Sequence, residues 1–246
     1  MRKDIQELLK DKKKMKEQGL FTVDTEKVLE EVLQLGFEVL YFFYSEQGEP
    51  ILNKFGRQLN EKAEKVKPGY IDRFASVKTH RGFVAVIKAR EQEIANIEGK
   101  KALVLLDNIQ DPSNMGAVLR SGIAFGFTDY IFLNCAYAYN EKTIRASAGT
   151  VFLTGFTEAT ETTLKKLKEN FKFIVTDVAS GEPVESAKKK AGDKFVLVLG
   201  NEGQGVSPEI AKLADINVKI NYPNKSVESL NVAAAAAILF YGLSKG

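Results

Sequence analysis

From Ala102 onward the chain alternates short apolar runs with polar, helix-patterned stretches, and this alternation constrains the fold more than any other feature. The runs at 102–106, 130–133, 172–176, 195–199 and 216–220 have strand length and are mostly apolar. Helix patterns lie between them. Asp111 is a good N-cap residue, Pro112 suits the first helical position, and the helix they open is expected to run to about Gly126. Further helices are expected at 141–148 behind Asn140, at 162–170, after Ser207-Pro208, and at 229–243. Strands buried on both faces and separated by helices predict an α/β fold built on a mainly parallel sheet flanked by helices. Ligands of such sheets sit beyond the carboxyl ends of the strands. That rule directs attention to the loops beginning near residues 108, 200 and 220.

The first ninety residues read differently. Residues 5–18 form a charged helix pattern with Lys12, Lys13, Lys14 and Lys16, readable as a solvated face or as a patch for phosphates. Residues 26–34 place Val28, Leu29, Val32 and Leu33 at helical spacing, with Gly36 as the stop. Residues 39–44 and 82–89 are strand candidates. The expectation is a small α/β domain over 1–92, a polar linker over 93–100, and a larger domain over 101–246.

Composition narrows the function classes. A net charge of +3 permits an RNA partner without demanding one. With one cysteine, one histidine, and neither Cys-x-x-Cys nor His-Glu-x-x-His, no metal site is expected. A Ser-His-Asp triad would have to be built around His80, which reads as a surface residue in a charged turn. Cys135, in an apolar stretch, reads as a small core residue. No apolar segment follows Met1-Arg2-Lys3-Asp4, and the longest apolar run, 232–241, is too short to span a bilayer, so the cytoplasm is the expected location.

The first loop leads into a helix carrying Ser113, Asn114 and Arg120. On that helix Ser113 and Arg120 lie within about 20° of each other, whereas Asn114 and Arg120 lie about 120° apart. Asn114 and Arg120 therefore meet one ligand only if Asn114 sits in the first turn. Among apolar neighbours Val118, Leu119 and Ile123, Arg120 should face a cleft or an anion. By itself this loop reads better as a capping turn, Asp111 with Pro112, and a surface arginine. The second loop, Leu199-Gly200-Asn201-Glu202-Gly203-Gln204-Gly205, follows an apolar strand, but its spacing matches neither a dinucleotide fingerprint nor a P-loop. Glu202 among the glycines suits a cation or a hydroxyl donor better than a pyrophosphate. The third loop ends in Ser229-Leu230-Asn231. Ser229 reads as the cap of a buried, alanine-rich helix, and Asn231 as a polar group beside its free N–H donors.

Together the three loops resemble the motifs of the SpoU/TrmH family of SPOUT-class RNA 2′-O-ribose methyltransferases. Asn114 with Arg120 matches Asn-x5-Arg, residues 200–205 match Gly-x-Glu-Gly-x-Gly, and Ser229-Leu230-Asn231 matches Ser-Leu-Asn. The likeness runs over 102–243. The first portion is similar, more loosely, to the substrate-binding domain preceding such cores, through Leu20-Phe21-Thr22-Val23 with Glu26-Lys27 and through Lys78-Thr79-His80-Arg81-Gly82. The resemblance implies a C-terminal trefoil knot, S-adenosyl-L-methionine as cofactor, RNA as partner (ribosomal RNA first, transfer RNA second), and a homodimer whose active site draws on both subunits. It also implies that Gly200, Gly205, Ile220 and Leu230 contact the cofactor. Asn114, Arg120, Glu202, Ser229 and Asn231 become the catalytic set, and Arg145, Lys78 and Arg81 the RNA contacts. Where the family carries Ile-Pro-Met and a glycine ahead of Ser-Leu-Asn, this chain has Asn221-Tyr222-Pro223 and Lys225, which leaves the Ile220 assignment one residue loose.

The chemistry implied is methyl transfer to a ribose 2′-hydroxyl. Arginine is ordinarily protonated, so Arg120 either orients that hydroxyl or, with help, takes its proton. Two other classes compete. A non-catalytic RNA- or ribosome-binding protein on the same fold predicts loss of Arg120, Glu202 and Asn231, all of which are present. A nucleotide-dependent oxidoreductase predicts a glycine-rich loop after the first strand, where only Gly116 stands.

Overall fold

The computed structural model describes residues 3–75, 80–90, 97–177, 180–223, 226 and 228–244. The chain forms two compact units, one of residues 1–91 with 139–141 and one of 92–138 with 142–246.

The first unit begins with α1 (Lys3–Lys10) and α2 (Lys12–Glu17), then β1 (Leu20–Val23), α3 (Glu26–Gln34), β2 (Val39–Tyr44), α4 (Glu49–Leu59), β3 (Ala63–Lys65), α5 (Pro68–Phe74) and β4 (Phe83–Lys88). Its sheet runs β1-β4-β2-β3, with β4 antiparallel to both neighbours and β3 parallel to β2. The helix expected over 5–18 is two helices. The Asp11 carboxylate accepts from the Lys14 N–H at 3.0 Å and caps a new helix, because a short acidic side chain competes with the helical carbonyls for that donor. Lys12, Lys13, Lys14 and Lys16 surround a buried Met15 and are exposed. His80 is not the surface residue the sequence led us to expect. Its side chain is 11% exposed: Nδ1 accepts from the Gly82 N–H at 3.1 Å and Nε2 lies 2.9 Å from Asp72 Oδ1. With both ring nitrogens engaged, the imidazole folds against the turn before β4.

The second unit comprises β5 (Ala102–Asp107), α6 (Pro112–Ala124), β6 (Asp129–Leu133), α7 (Glu141–Ala146), a 3-10 turn (Thr150–Leu153), β7 (Gly155–Glu158), α8 (Glu161–Asn170), β8 (Lys172–Thr176), α9 (Val184–Ala191), β9 (Phe195–Leu199), α10 (Pro208–Ala211), β10 (Ile216–Val218) and α11 (Val232–Ser244). Every pairing in the sheet β10-β8-β9-β5-β6-β7 is parallel. Alternate residues supply the two cores. Leu103, Leu105, Phe173, Val175, Val196 and Val198 pack with Leu167 of α8 and Ile210 of α10. The opposite face is covered by α11, which packs on α6 and α9 and sets Phe240 4.7 Å from Phe127.

Boundaries near the candidate site differ from expectation. β10 stops at Val218, and α11 begins at Val232 rather than at Ser229. Cys135 is half-buried, with its thiol 3.1 Å from the Leu106 carbonyl oxygen. Among the described residues no helix is long and apolar enough to cross a membrane.

Candidate active site

Sheet order places the candidate site. β8, β9 and β10 end side by side, and the 200–207 and 219–231 loops rise from two of them. Beyond those ends lies a cavity of about 350 Å³, within the range of about 300–1,000 Å³ usual for small-molecule sites. Leu199, Val218, Leu230 and Leu239 give it apolar walls, and Asp177 and Glu202 give it carboxylates.

The glycine loop takes its shape from two backbone requirements. A Cβ on Gly200 would overlap the backbone of Gly205 and Val206, so only glycine lets the loop close on itself there. Gly205 has φ +71°, the left-handed region. The closed loop presents Glu202 to α6, where its Oε1 accepts a hydrogen bond from Asn114 Nδ2. Asn114 is the third residue of α6, in the first turn, as the 120° argument demanded. Its Oδ1 in turn accepts from Asn231 Nδ2 at 3.0 Å.

Asn231, not Ser229, caps α11. Its Oδ1 accepts from the Ala233 N–H at 2.9 Å and its carbonyl from the Ala235 N–H at 2.9 Å. The cap leaves Nδ2 to reach Asn114, so one amide both starts the helix and closes the string Asn231–Asn114–Glu202. Each of the three residues comes from a different motif-bearing segment. Ser229, two residues ahead of the cap, lines the cavity.

The other expected residues fall into two groups. Gly200, Gly205, Ile220 and Leu230 all line the cavity, and so does Tyr222, whose hydroxyl donates to the Glu228 carbonyl at 3.1 Å. Ile220 thus lines it despite the altered residues that follow. Outside the cavity lining are Arg120, exposed on α6, and Arg145, exposed on α7. Arg81 is exposed in the first unit, and Lys78 lies outside the described residues. Sequence reasoning passed over Asp107, Asn108 and Asn201, which tie the glycine loop to the loop after β5. Ser207 N donates to Asp107 Oδ2 at 2.6 Å and Asn201 Nδ2 to the Asn108 carbonyl at 2.9 Å. The signal available was positional, namely an acid at the end of an otherwise apolar strand.

A mixed cavity of this kind suits a ligand with an aromatic base, hydroxyls and a positive centre. It carries carboxylates for the hydroxyls and the charge, apolar side chains for the base, and a glycine loop close enough for backbone contact. Among the described residues no cluster of three or more His, Cys, Asp or Glu side chains is placed to hold a metal ion.

Comparison with known proteins points to one family. The SpoU rRNA Methylase family matches residues 101–241. An uncharacterized tRNA/rRNA methyltransferase of Mycoplasma pneumoniae, an MG252 homolog, is 34% identical over 177 residues, spanning 66% of this chain and 72% of that protein. RlmP of Bacillus subtilis, a 23S rRNA (guanosine(2553)-2′-O)-methyltransferase, is 32% identical over 179 residues, 70% of this chain and 69% of its own. The AdoMet-bound rRNA methyltransferase of Sinorhizobium meliloti superposes with a TM-score of 0.81 at 25% identity, covering 98% of this chain and 92% of that one. On the fold, the three loops and these relatives, the chain belongs to the SpoU rRNA methylase family of S-adenosylmethionine-dependent RNA methyltransferases.

Proposed function

We propose that this protein methylates a ribose 2′-hydroxyl of ribosomal RNA, acting in the cytoplasm as a homodimer with a knotted catalytic unit. The observation that carries the reading is the hydrogen-bonded string Asn231–Asn114–Glu202 beside the cavity. Gly200, Gly205, Ile220 and Leu230 would hold S-adenosylmethionine, which when bound supplies a methyl group on a cationic sulfonium. Glu202 contributes negative charge near that cation while its hydrogen bond to Asn114 fixes the carboxylate. Asn114, Ser229 and Asn231 position the ribose, and such positioning supplies much of the rate gain when two bound groups react.

Arg120 lies six residues beyond Asn114 on α6, about 9 Å along the helix. Exposed there, it meets the RNA by orienting the 2′-hydroxyl or taking its proton, with a phosphate close by. Arg145, Arg81 and Lys78 supply further phosphate contacts.

The homodimer rests on an apolar face. The large hydrophobic side chains exposed among the described residues are Leu153 (48%), Ile238 (42%) and Tyr241 (51%). Ile238 and Tyr241 stand on α11, and Leu153 in the 3-10 turn; both elements pack against α6. A self-complementary two-fold contact on this face covers all three and brings α6, with Arg120, to the subunit boundary.

The test is tritium transfer from labelled S-adenosylmethionine to RNA from a strain lacking the gene, fractionated into ribosomal and transfer RNA. Wild-type protein should label ribosomal RNA. Arg120→Ala should lose at least about a hundredfold in transfer while binding S-adenosylhomocysteine normally, because its role is at the substrate and not the cofactor. Transfer by Arg120→Ala at the wild-type rate removes Arg120 from the mechanism. RNA binding without any transfer by wild type favours instead a non-catalytic RNA-binding protein on the same fold.

A further inference from the structure

The glycine loop contains a polar side chain, Asn201, that takes no part in the chemistry above. Asn201 is engaged at both ends of its amide. Oδ1 accepts from the Gly203 N–H at 2.9 Å and the Gln204 N–H at 3.1 Å, while Nδ2 donates to the Asn108 carbonyl at 2.9 Å. Its backbone exchanges two hydrogen bonds with Gly205, each of 2.9 Å. The amide orientation is forced, because two backbone donors face one end and a backbone carbonyl faces the other, and turning it over would lose all three bonds.

What Asn201 holds is specific. Asn108 has φ +59° and its N–H is bonded to the Leu133 carbonyl at 2.8 Å, so its carbonyl is a fixed point at the end of β5. Six residues on from Asn108 stands Asn114, and the residue after Asn201 is Glu202. The Asn201–Asn108 bond therefore spans the base of the Glu202–Asn114 contact. A second tie, from Ser207 N to the buried Asp107 carboxylate, holds the far end of the loop.

We propose that Asn201 is a positioning residue with two separable tasks: its carbonyl oxygen folds the 200–205 loop around the cofactor, and its amide nitrogen sets Glu202 against Asn114. The proposal rests on the methyltransferase reading, and it assigns the residue no contact with a reacting atom.

Two variants separate the tasks. Asn201→Ala removes both. Asn201→Asp keeps an acceptor for Gly203 and Gln204 but has no donor for Asn108. Affinity for S-adenosylhomocysteine, measured by calorimetry without RNA, should fall about tenfold in Asn201→Ala and return to within about threefold of wild type in Asn201→Asp. Transfer to RNA at saturating cofactor should fall about tenfold or more in both, with little change in KM for RNA, because misplacing Glu202 costs rate and not substrate affinity. In the double variant Asn201→Asp/Glu202→Gln the loss should not exceed that of Glu202→Gln alone, since Asn201 acts through Glu202.

Asn201→Ala binding S-adenosylhomocysteine like wild type overturns the first task, as does Asn201→Asp binding no better than Asn201→Ala. Asn201→Asp transferring at the wild-type rate, or losses that add in the double variant, overturn the second. If Asn201→Ala gives no cooperative melt, Asn201→Asp alone decides through the same affinity and rate. Failure of the wild-type protein to transfer at all overturns the methyltransferase reading instead.

Discussion

At the scale of single residues, the site is organised by amides whose two ends do different work. Asn231 uses its oxygen to cap α11 and its nitrogen to hold Asn114. Asn231→Ala should cost about 1 kcal/mol of stability, the usual worth of a lost N-cap, read as a lower melting temperature. Asn231→Asp keeps the cap oxygen but turns an acceptor toward Asn114 Oδ1. Its melting temperature should stay near wild type while transfer falls at least about tenfold. Equal transfer by Asn231→Asp would show that the Asn231–Asn114 bond plays no part in turnover. Cys135 gives a prediction from pH. Burial pushes its thiol up from an ordinary value of 9.0 to about 11. A raised value means the folded protein keeps the proton longer than the unfolded chain. The stability linked to it is complete below pH 9 and is lost as pH rises toward 11. Alkylation of native protein should therefore be slow at pH 8 and accelerate only near pH 11, whereas the urea-unfolded chain should already react fast near pH 9.

At the scale of elements, the loops carry more of the design than the strands. The Gly200–Gly205 closure leaves no room for a methyl group, and the atoms in the way are backbone and cannot swing aside. Gly200→Ala should abolish S-adenosylhomocysteine binding by calorimetry while the sheet, judged by far-ultraviolet circular dichroism, persists; binding within about threefold of wild type would show that the loop is less constrained than its packing indicates. Elements also show what the chain alone declares. β8 and β9 lie where uniform apolar runs put them, and α3 where its 3.6-residue pattern puts it. β7, Gly155–Glu158, has no such run, because an edge strand is partly solvated and needs no continuous apolar stretch. α9, Val184–Ala191, buries only Val184, Ala187 and Ala191 beneath a lysine-rich surface, too sparse a stripe to announce a helix. Asp11 split a helix that the periodicity alone would have continued.

At the scale of the whole molecule, the exposed apolar side chains of α11 set the prediction. Tyr241 is half-exposed and meets Phe125 edge to face at 5.9 Å. If the face formed by Leu153, Ile238 and Tyr241 is a two-fold interface, Tyr241→Arg should place like charges against each other and convert a dimer to monomer in sedimentation at micromolar concentration, with transfer lost in parallel. A wild-type protein that sediments as a monomer would remove the dimer from the mechanism.

The amino-acid sequence by itself determined the parallel α/β core, because strand and helix periodicity are local properties of a chain burying apolar groups. It also carried the three motifs, in which Asn114, Glu202 and Asn231 stand in spacings that local structure alone does not require. Tertiary structure decided which atoms meet. That Asn231 turns its amide nitrogen to Asn114, that Asn114 turns one end of its amide to each neighbour, and that Asn201 ties two distant loops all depend on contacts between residues 88 to 117 positions apart. No periodicity encodes such contacts. They follow from where the ends of parallel strands come to rest, which is settled only when the whole sheet has packed.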